Sequence, residues 1–510
     1  MSIELNKDFR RALDLMETGG GNLFITGKAG TGKSTLLSYF RGLTKKNIVV
    51  LAPTGVAALN VQGQTIHSFF GFRPDITLDK ITKVKRNSDI YRKLDSIIID
   101  EVSMVRADLL DCVDEFLRKN CGPGKPFGGK RMIFIGDLYQ LPPVVSAHEE
   151  QIFREHYETP YFFSAEAIRH SQMELVELEK VYRQSDETFV SILNAIRTNI
   201  IRPEMVEELN RRVDRDFEPP DGEFYVSLTP YNKNAQEINV RHLEKIKSKE
   251  HTFRAEVLGD FEEKNYPTEN PLVLKKGAQI MLLNNDPAGR WVNGSMGKIL
   301  DIDTDEEIIT VQLNDGGTAE VGKFQWSLFR YEYDEGARSI LSSPVGMFTQ
   351  YPIRLAWAVT IHKSQGKTFE RVIIDMGRGA FSPGQTYVAL SRCKTLDGIV
   401  LRAPLKDKGI WTDWRVTKYM TAYRYGIAER ENPAEDKLQT IQDAIKAHKK
   451  IEMVYLKTDD TKSTRTITPE YAGELEFKGK KYTGMQGYCH TRKESRTFRI
   501  DRILELRVLD

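Results

Sequence analysis

Residues 27–34 read Gly27-Lys28-Ala29-Gly30-Thr31-Gly32-Lys33-Ser34, directly after the apolar run LFIT and directly before the helical pattern TLLSYF. Few stretches this short constrain a fold so tightly. The pattern demands a strand, a glycine-rich turn and a helix in that order. Its glycines let backbone amides turn inward around phosphate oxygens, the lysine reaches the β- and γ-phosphates, and the serine offers a hydroxyl to Mg²⁺. The helix start adds its positive dipole end. Gly27, Gly30, Thr31, Gly32, Lys33, Ser34 and Thr35 are therefore the candidate nucleotide-binding residues.

The neighbouring sequence supplies the rest of such a domain. Apolar runs at 23–26, 48–52, 97–100 and 132–135 are short and lack a period of two, as strands covered on both faces do. Val105, Leu109, Leu110, Val113, Phe116 and Leu117 recur at helix spacing between two of these runs. The alternation predicts an α/β fold. The run IIIDE ends in Asp100 and Glu101, a pair suited to holding Mg²⁺ and to orienting the attacking water. GDLYQLPP follows the next apolar run and puts Gln140 where it could sense a γ-phosphate; taken alone it also reads as a proline-rich turn. Arg183 in LEKVYRQSD and Arg392 in TYVALSRCK are candidates for a guanidinium on developing phosphoryl charge, an arrangement worth ~10³–10⁵ in rate. Each taken alone reads as a solvated surface charge. APTG at 52–55, TIHSFF at 65–70 and TIHKSQGKT at 360–368 set short hydroxyls, amides and histidine beside glycine and aromatics, a composition that suits phosphate contacts and base stacking; Phe69 and Phe70 are more often core, and lone histidines usually structural.

Composition narrows the class further. The 510 residues hold 74 Lys plus Arg against 72 Asp plus Glu, which excludes a histone-like mass of charge but leaves room for a local basic stripe. No apolar run approaches the ~18 residues of a membrane span, and the charged, helix-periodic N-terminus is unlike a secretory signal. Cys112, Cys121, Cys393 and Cys489 form no zinc spacing, which points to a reducing cytoplasm.

In order along the chain, these segments resemble the PIF-type DNA helicases of superfamily one, group B, relatives of the RecD helicases. GKAGTGKST resembles motif I, APTGVAALNVQGQTIHSFFG motifs Ia to Ic, IIIDEVSM motif II, GDLYQLPPV motif III, LEKVYRQ motif IV, WAVTIHKSQGKT motif V and YVALSRCK motif VI. The stretch from Asp111 through PFGGK at 126–130 is similar to the family's signature between motifs II and III.

The resemblance covers roughly 1–425 and implies two RecA-like P-loop domains. Domain 1A would span 1–180 with a small 1B insert near 70–92, and domain 2A would span 181–425 with an SH3-like 2B β-barrel near 270–340 (β-rich over 272–334). It implies ATP and Mg²⁺ between them: Lys33, Ser34, Asp100, Glu101 and Gln140 from the first domain, and Arg183 and Arg392 from the far side. Gly366 and Lys367 of motif V join the nucleotide set. It implies single-stranded DNA held by Thr54, Thr65 and His67 on one domain and Thr360, His362, Lys363 and Ser364 on the other, with 5′-to-3′ movement. Forked duplexes and G-quadruplexes would be substrates, for a monomer or weak dimer on DNA at the bacterial nucleoid. One departure stands out. The family's Leu-x-x-x-Gln adenine motif has Phe9 in place of glutamine in Leu5-Asn6-Lys7-Asp8-Phe9, so Phe9 either stacks on the base or packs in the core.

The charged, proline-containing segment 426–437 reads as a linker. Residues 438–510 resemble a WYL domain, a small Sm-like β-fold of bacterial regulators; Tyr488, Arg492, Arg499 and Arg502 would form its nucleic-acid or ligand site, with Arg496 in the same basic run. A passive module is the alternative for this tail. For the whole chain, an RNA helicase and a nucleotide-switched DNA-binding regulator remain the competing functions.

Overall fold

β1 (Asn22–Gly27), β2 (Ile48–Ala52), β3 (Gln64–Thr65), β4 (Ser96–Ile99), β5 (Arg131–Ile135) and β6 (Met173–Leu178) form one parallel sheet in the order β3-β2-β4-β5-β1-β6. The computed structural model describes residues 5–509 except 74, 85–88, 146, 170, 185, 221, 335, 337–338, 378, 407–408, 458–461 and 478. β1, β4 and β5 are buried along their whole length. That explains their apolar runs, Leu23–Ile25, Ile97–Ile99 and Met132–Ile135: helices cover both faces, so these positions need not be polar. The helix Lys7–Thr18 seals one face through Phe9, Ala12 and Met16, packed with Leu23, Ile25, Leu36, Ile133 and Val176.

The signature stretch after β4 is a structural clamp. Asp111, on the helix Ala107–Asn120, accepts backbone N–H groups from Glu166 and Ala167 at 3.1 and 3.0 Å and the Tyr157 hydroxyl at 2.9 Å. Asp114 accepts the Phe127 N–H. Gly128 has φ +60°, and a Cβ there would sit 2.4 Å from the Leu117 carbonyl oxygen, so the turn closes only around glycine. Phe69 and Phe70 are core: with Tyr91 and Phe116 they form an aromatic cluster with centroids 4.8–6.1 Å apart. Of the expected 1B insert, the described part is a turn at Leu78–Lys80 and a short helix at Asp89–Lys93; residues 74 and 85–88 lie outside the described residues.

A second parallel sheet has the order β18-β7-β19-β20, made of β7 (Val226–Thr229), β18 (Ala358–Thr360), β19 (Val372–Ile374) and β20 (Ile399–Leu401). The excursion between β7 and β18 is antiparallel and longer than the sequence suggested. It runs from Glu250 to Leu355. β8 (Glu250–Phe253) pairs with β10 (Leu272–Lys275). A five-stranded sheet has the order β14-β13-β12-β11-β17, from β11 (Gln279–Leu282), β12 (Met296–Asp303), β13 (Ile308–Leu313), β14 (Thr318–Val321) and β17 (Ile353–Leu355). Its core is Leu274, Ile280, Leu282, Ile299, Val311, Val321 and Ile353. A third sheet joins β9 (Glu256–Gly259) to a long hairpin of β15 (Phe324–Asp334) and β16 (Ser339–Gln350). β16 escaped the sequence reading because its serines, Pro344 and Gly346 read as loop. The ladder absorbs Pro344 at a bulge, where Leu328 faces Gly346 and Phe329 faces Pro344.

Tyr331 on this hairpin reaches the first sheet. Its hydroxyl bridges the N–H (3.2 Å) and C=O (3.4 Å) of Val50 on β2, beyond the two residues that β3 covers.

The chain forms two compact units, 1–193 with 203–411, and 194–202 with 412–510. The second contains the helices Trp414–Glu431 and Ala434–Lys446 and an antiparallel sheet β24-β23-β22-β21-β25: β21 (Ile451–Leu456), β22 (Lys462–Phe477), β23 (Lys480–Cys489), β24 (Glu494–Arg499) and β25 (Ile503–Val508). Ile441, Ala444, Ile451, Met453, Ile467, Met485, Phe498 and Ile503 are its core. The expected linker is helical instead: the first helix runs to Glu431, and Pro433 caps the second. Helix-favouring AERE carries the first helix onward, and proline suits a helix entrance. Tyr425 donates to the Leu456 carbonyl at 2.8 Å and Lys437, fully buried, to the Ala428 carbonyl at 3.2 Å, so this unit begins well before residue 438.

Candidate nucleotide cleft and strand-binding turn

The P-loop leaves β1 and enters the helix Lys33–Leu43. Gly30 and Gly32 hold φ +80° and +86°, the left-handed turn that opens backbone amides inward. Lys33 Nζ donates to the Gly27 and Lys28 carbonyls at 2.7 and 3.0 Å, which folds its side chain along the loop. Ser34 and Thr35 are exposed at the helix start. Phe9 lies in the core, and a Cβ on Gly32 would come within 2.9 Å of its ring. It therefore buttresses the loop from inside.

Asp100 and Glu101 follow β4, Glu101 at φ +50°. Burial, then the Glu101 carboxylate, holds Asp100 above the usual carboxylate range, with Lys33 acting against them. Burial raises Glu101 too, opposed by Lys33 and Arg392. Asp137 and Gln140 follow β5, and the Gln140 amide donates to Asp137 Oδ2 at 3.3 Å.

Arg183 is not on the far side. It follows β6, which belongs to the first sheet; Tyr182 N–H bonds the Gly30 carbonyl at 2.9 Å, and a Cβ on Gly30 would lie 2.5 Å from Arg183 Cβ. From this seat over the P-loop Arg183 Nη1 donates to the Ser391 carbonyl at 3.2 Å. Arg392 does come from the second half. It is 1% exposed and donates to the Val388 carbonyl (3.0 Å), Ser391 Oγ (3.2 Å) and the Ser364 carbonyl (3.4 Å). Burial depresses both guanidiniums; the like charge of Arg392 depresses Arg183 further, and Glu101 supports Arg392. Among the described residues neither arginine has an ion-pair partner within 4.0 Å. Two adjacent cationic groups beside a P-loop suit an anion with several oxygens.

The Ser364 contact ties the cleft to the turn after β18. Thr360 is buried and its hydroxyl accepts Lys363 N–H at 3.3 Å; Ser364 is fully buried and its hydroxyl donates to the Ile361 carbonyl at 2.7 Å. These two shape the turn and present no hydroxyl to solvent. Lys363 is exposed and His362 half-buried, and burial lowers the pKa of both. Gly366 (φ +74°) closes the turn, while Lys367 Nζ donates to Asn293 Oδ1 at 2.8 Å, which takes it to the antiparallel insert. On the first half, Thr54 and Thr65 accept N–H groups of Ala57 (3.3 Å) and Ser68 (3.2 Å), and His67 is half-buried with its pKa lowered by burial, then Lys264 and Arg106.

A PIF1-like helicase family model matches residues 4–202 and a WYL domain model matches 436–508. ATP-dependent DNA helicase Pif1 of Bdellovibrio bacteriovorus is 35% identical over 411 residues, 78% of this chain and 88% of that protein. The chain belongs to the PIF1-like helicase family. It is a PIF1-like ATP-dependent DNA helicase with a C-terminal WYL domain. Human PIF1 is 32% identical over 83% of this chain, which spans 65% of that longer protein; for the Xenopus laevis protein the figures are 33%, 74% and 58%. The structure of Bacteroides sp Pif1 with ADP-AlF4 has a TM-score of 0.77 at 34% identity, covering 83% of this chain and 97% of that one; Bacteroides Pif1 bound to ssDNA has 0.60 with the same identity and coverage. Among the described residues no helix is long and apolar enough to cross a membrane.

In the WYL domain, Tyr488 pairs with Ser495 and Gly484 with Arg499, so Tyr488 and Arg499 share a sheet face, whereas Arg496 and Phe498 take the other. Arg492 lies in the turn between β23 and β24, and Arg502 in the short turn before β25. Arg499 makes a two-pronged pair with Asp501 at 3.0 and 2.6 Å, and Arg496 pairs with Glu494. The basic run is therefore divided between faces and partly neutralised. Sequence reasoning missed Tyr387 and Gln184. Gln184 Nε2 donates to the Ser391 and Cys393 carbonyls at 3.0 and 3.2 Å; it sits beside Arg183 in the quoted motif, which was the available signal.

Proposed function

We propose that this helicase moves 5′ to 3′ along single-stranded DNA by closing and opening the cleft between its two parallel sheets, and opens forked duplex and G-quadruplex DNA on its way. The observation that carries the reading is Arg392, which lies opposite Glu101 and also bonds the carbonyl of Ser364 in the turn after β18. One side chain thus acts electrostatically on the nucleotide machinery and bonds the strand-binding turn.

The P-loop residues Gly27 through Thr35 cradle the phosphates of ATP, and the left-handed turns at Gly30 and Gly32 let the loop pass against Arg183 and Phe9. Ser34 and Asp100 would hold Mg²⁺, which neutralises charge on the phosphate oxygens. Glu101, its pKa raised by burial, takes the proton of the attacking water, while Gln140 orients it. Arg183 and Arg392 stabilise the charge that develops, and their mutual repulsion without nucleotide favours opening. Closure then depends on nucleotide state, and a difference in strand grip between the two states yields movement. Thr54, Thr65, His67, His362 and Lys363 line the strand path. Bacteroides Pif1 has been crystallised on ssDNA, and a structure of two coordinating Pif1 helicases addresses forked duplex unwinding; we extend both substrates to this chain, with a monomer or weak dimer on the fork and a cytoplasmic, nucleoid location. We place the end of domain 1A beyond Arg183 instead of at 180, and the end of domain 2A at 411 instead of 425; the SH3-like character of the insert and a nucleic-acid or ligand site at Tyr488, Arg492, Arg499 and Arg502 complete the proposal.

The test is ATP hydrolysis with and without single-stranded DNA over a salt series. Strong stimulation that fades with salt supports the motor, with log affinity falling at about −0.7 per neutralised phosphate against log salt. Lys33→Ala abolishes turnover while leaving the melting curve intact. Stimulation by RNA alone, or by neither nucleic acid, would overturn the reading in favour of an RNA motor or a switch.

A further inference from the structure

Tyr387 sits in the helix Gln385–Leu390, every residue of which is buried. Its hydroxyl accepts the N–H of Ala29 at 3.0 Å and donates to Asp137 Oδ2 at 3.4 Å. Ala29 belongs to the P-loop after β1, and Asp137 to the loop after β5 that carries Gln140. Both partners are on the first sheet, while Tyr387 follows β19 of the second. The same side chain acts electrostatically on both Arg183 and Arg392.

The helix is pressed onto the first half at both ends as well. Before it, Gly384 has φ +74°, and a Cβ there would lie 2.4 Å from the Gln140 carbonyl oxygen and 2.6 Å from that of Tyr139. After it, the Ser391 carbonyl accepts from Arg183 and Gln184. Any parting of the halves breaks these two bonds together, because Ala29 and Asp137 both stay behind.

We propose that Tyr387 is a positioning residue for hydrolysis: its hydroxyl ties the P-loop to the Asp137–Gln140 loop only when the halves are closed, and so sets Arg392 and Gln140 for the reaction. This rests on the nucleotide cleft proposed above. The bonds cross from one half to the other, whereas the P-loop cradle belongs to the first half alone. Loss of the hydroxyl therefore weakens closure and leaves ground-state nucleotide binding in place, the pattern that lowers kcat without raising KM.

Tyr387→Phe keeps the ring and removes the bonds. At saturating single-stranded DNA, kcat is expected to fall about tenfold, the effect of stranding a buried donor and acceptor. KM for ATP, affinity for a non-hydrolysable ATP analogue without DNA, and the melting curve should match the unmodified protein; a merely structural role would shift the melting curve and the analogue affinity. An unchanged kcat, or a raised KM at unchanged kcat, overturns the proposal. If Tyr387→Phe melts early, Gly384→Ala presses a methyl into the Gln140 carbonyl at the start of the same helix and is expected to lower kcat in the same way; unmodified kcat there overturns the proposal too. The controls separate two failures. Absence of Lys33-dependent, DNA-stimulated turnover in the unmodified protein sinks the cleft and Tyr387 together; its presence, with Tyr387→Phe behaving as unmodified protein, sinks Tyr387 alone.

Discussion

Asp100 and Glu101 are adjacent carboxylates, both held above their ordinary range by burial, with repulsion from Glu101 adding to the shift of Asp100. A carboxylate whose pKa is raised by folding binds its proton more readily in the native state than in the unfolded one. Stability therefore falls as pH climbs from the unfolded pKa, about 3.9, through the raised native value. Asp100→Asn removes that cost. It should abolish hydrolysis yet stabilise the nucleotide-free larger unit by on the order of 1–3 kcal/mol at pH 8, and by less at pH 5. Urea unfolding at the two pH values checks this, and no gain at pH 8 would contradict the buried repulsion. By the same logic the acid limb of kcat/KM lies above the ordinary carboxylate range, because that limb reports the free enzyme. The sequence made this pair legible, since carboxylates at a strand end after a P-loop have few other uses. It hid Tyr387, because a tyrosine among Val388, Ala389 and Leu390 reads as one more apolar helix position. It misled on Ser364: a hydroxyl in a polar motif looks solvent-facing until the backbone turns it onto its own carbonyl.

At the scale of elements, the strands of the first sheet were legible because burial on both faces writes itself as unbroken apolar sequence. β16 and the helix reaching Glu431 were not, because a bulge can accommodate proline and serine in a ladder, and charge alone does not stop a helix. The signature turn shows how little tolerance an element can have. Gly128→Ala combines a left-handed φ with a methyl 2.4 Å from the Leu117 carbonyl oxygen. We expect a loss of about 1–3 kcal/mol in the larger unit, read by circular dichroism in urea, with no change in KM for ATP once folded. An unshifted midpoint would mean that the clamp around Asp111 and Asp114 yields more easily than its hydrogen bonds imply.

Over the whole molecule, the tail has its own core, and the helix Trp414–Glu431 belongs to the same compact unit. A chain ending at residue 411 is expected to keep DNA-stimulated hydrolysis, whereas one ending at 437 keeps helices stripped of their sheet and should precipitate or be clipped. Hydrolysis and limited proteolysis of the two truncations measure this directly. Loss of activity in a folded 1–411 chain would make the tail part of the motor. The hairpin β15–β16 carries a different consequence. By chain order it belongs to the second half, but its Tyr331 hydroxyl covers a stretch of β2 that β3 leaves bare. An uncovered strand edge is a template for pairing with another chain. If the hairpin travelled with the second half, each cycle would bare that edge to the crowded interior of a cell. A hairpin that stays with β2 through the stroke protects the molecule from its own kind, and it moves the pivot of the motion into the segments joining the hairpin to its neighbours.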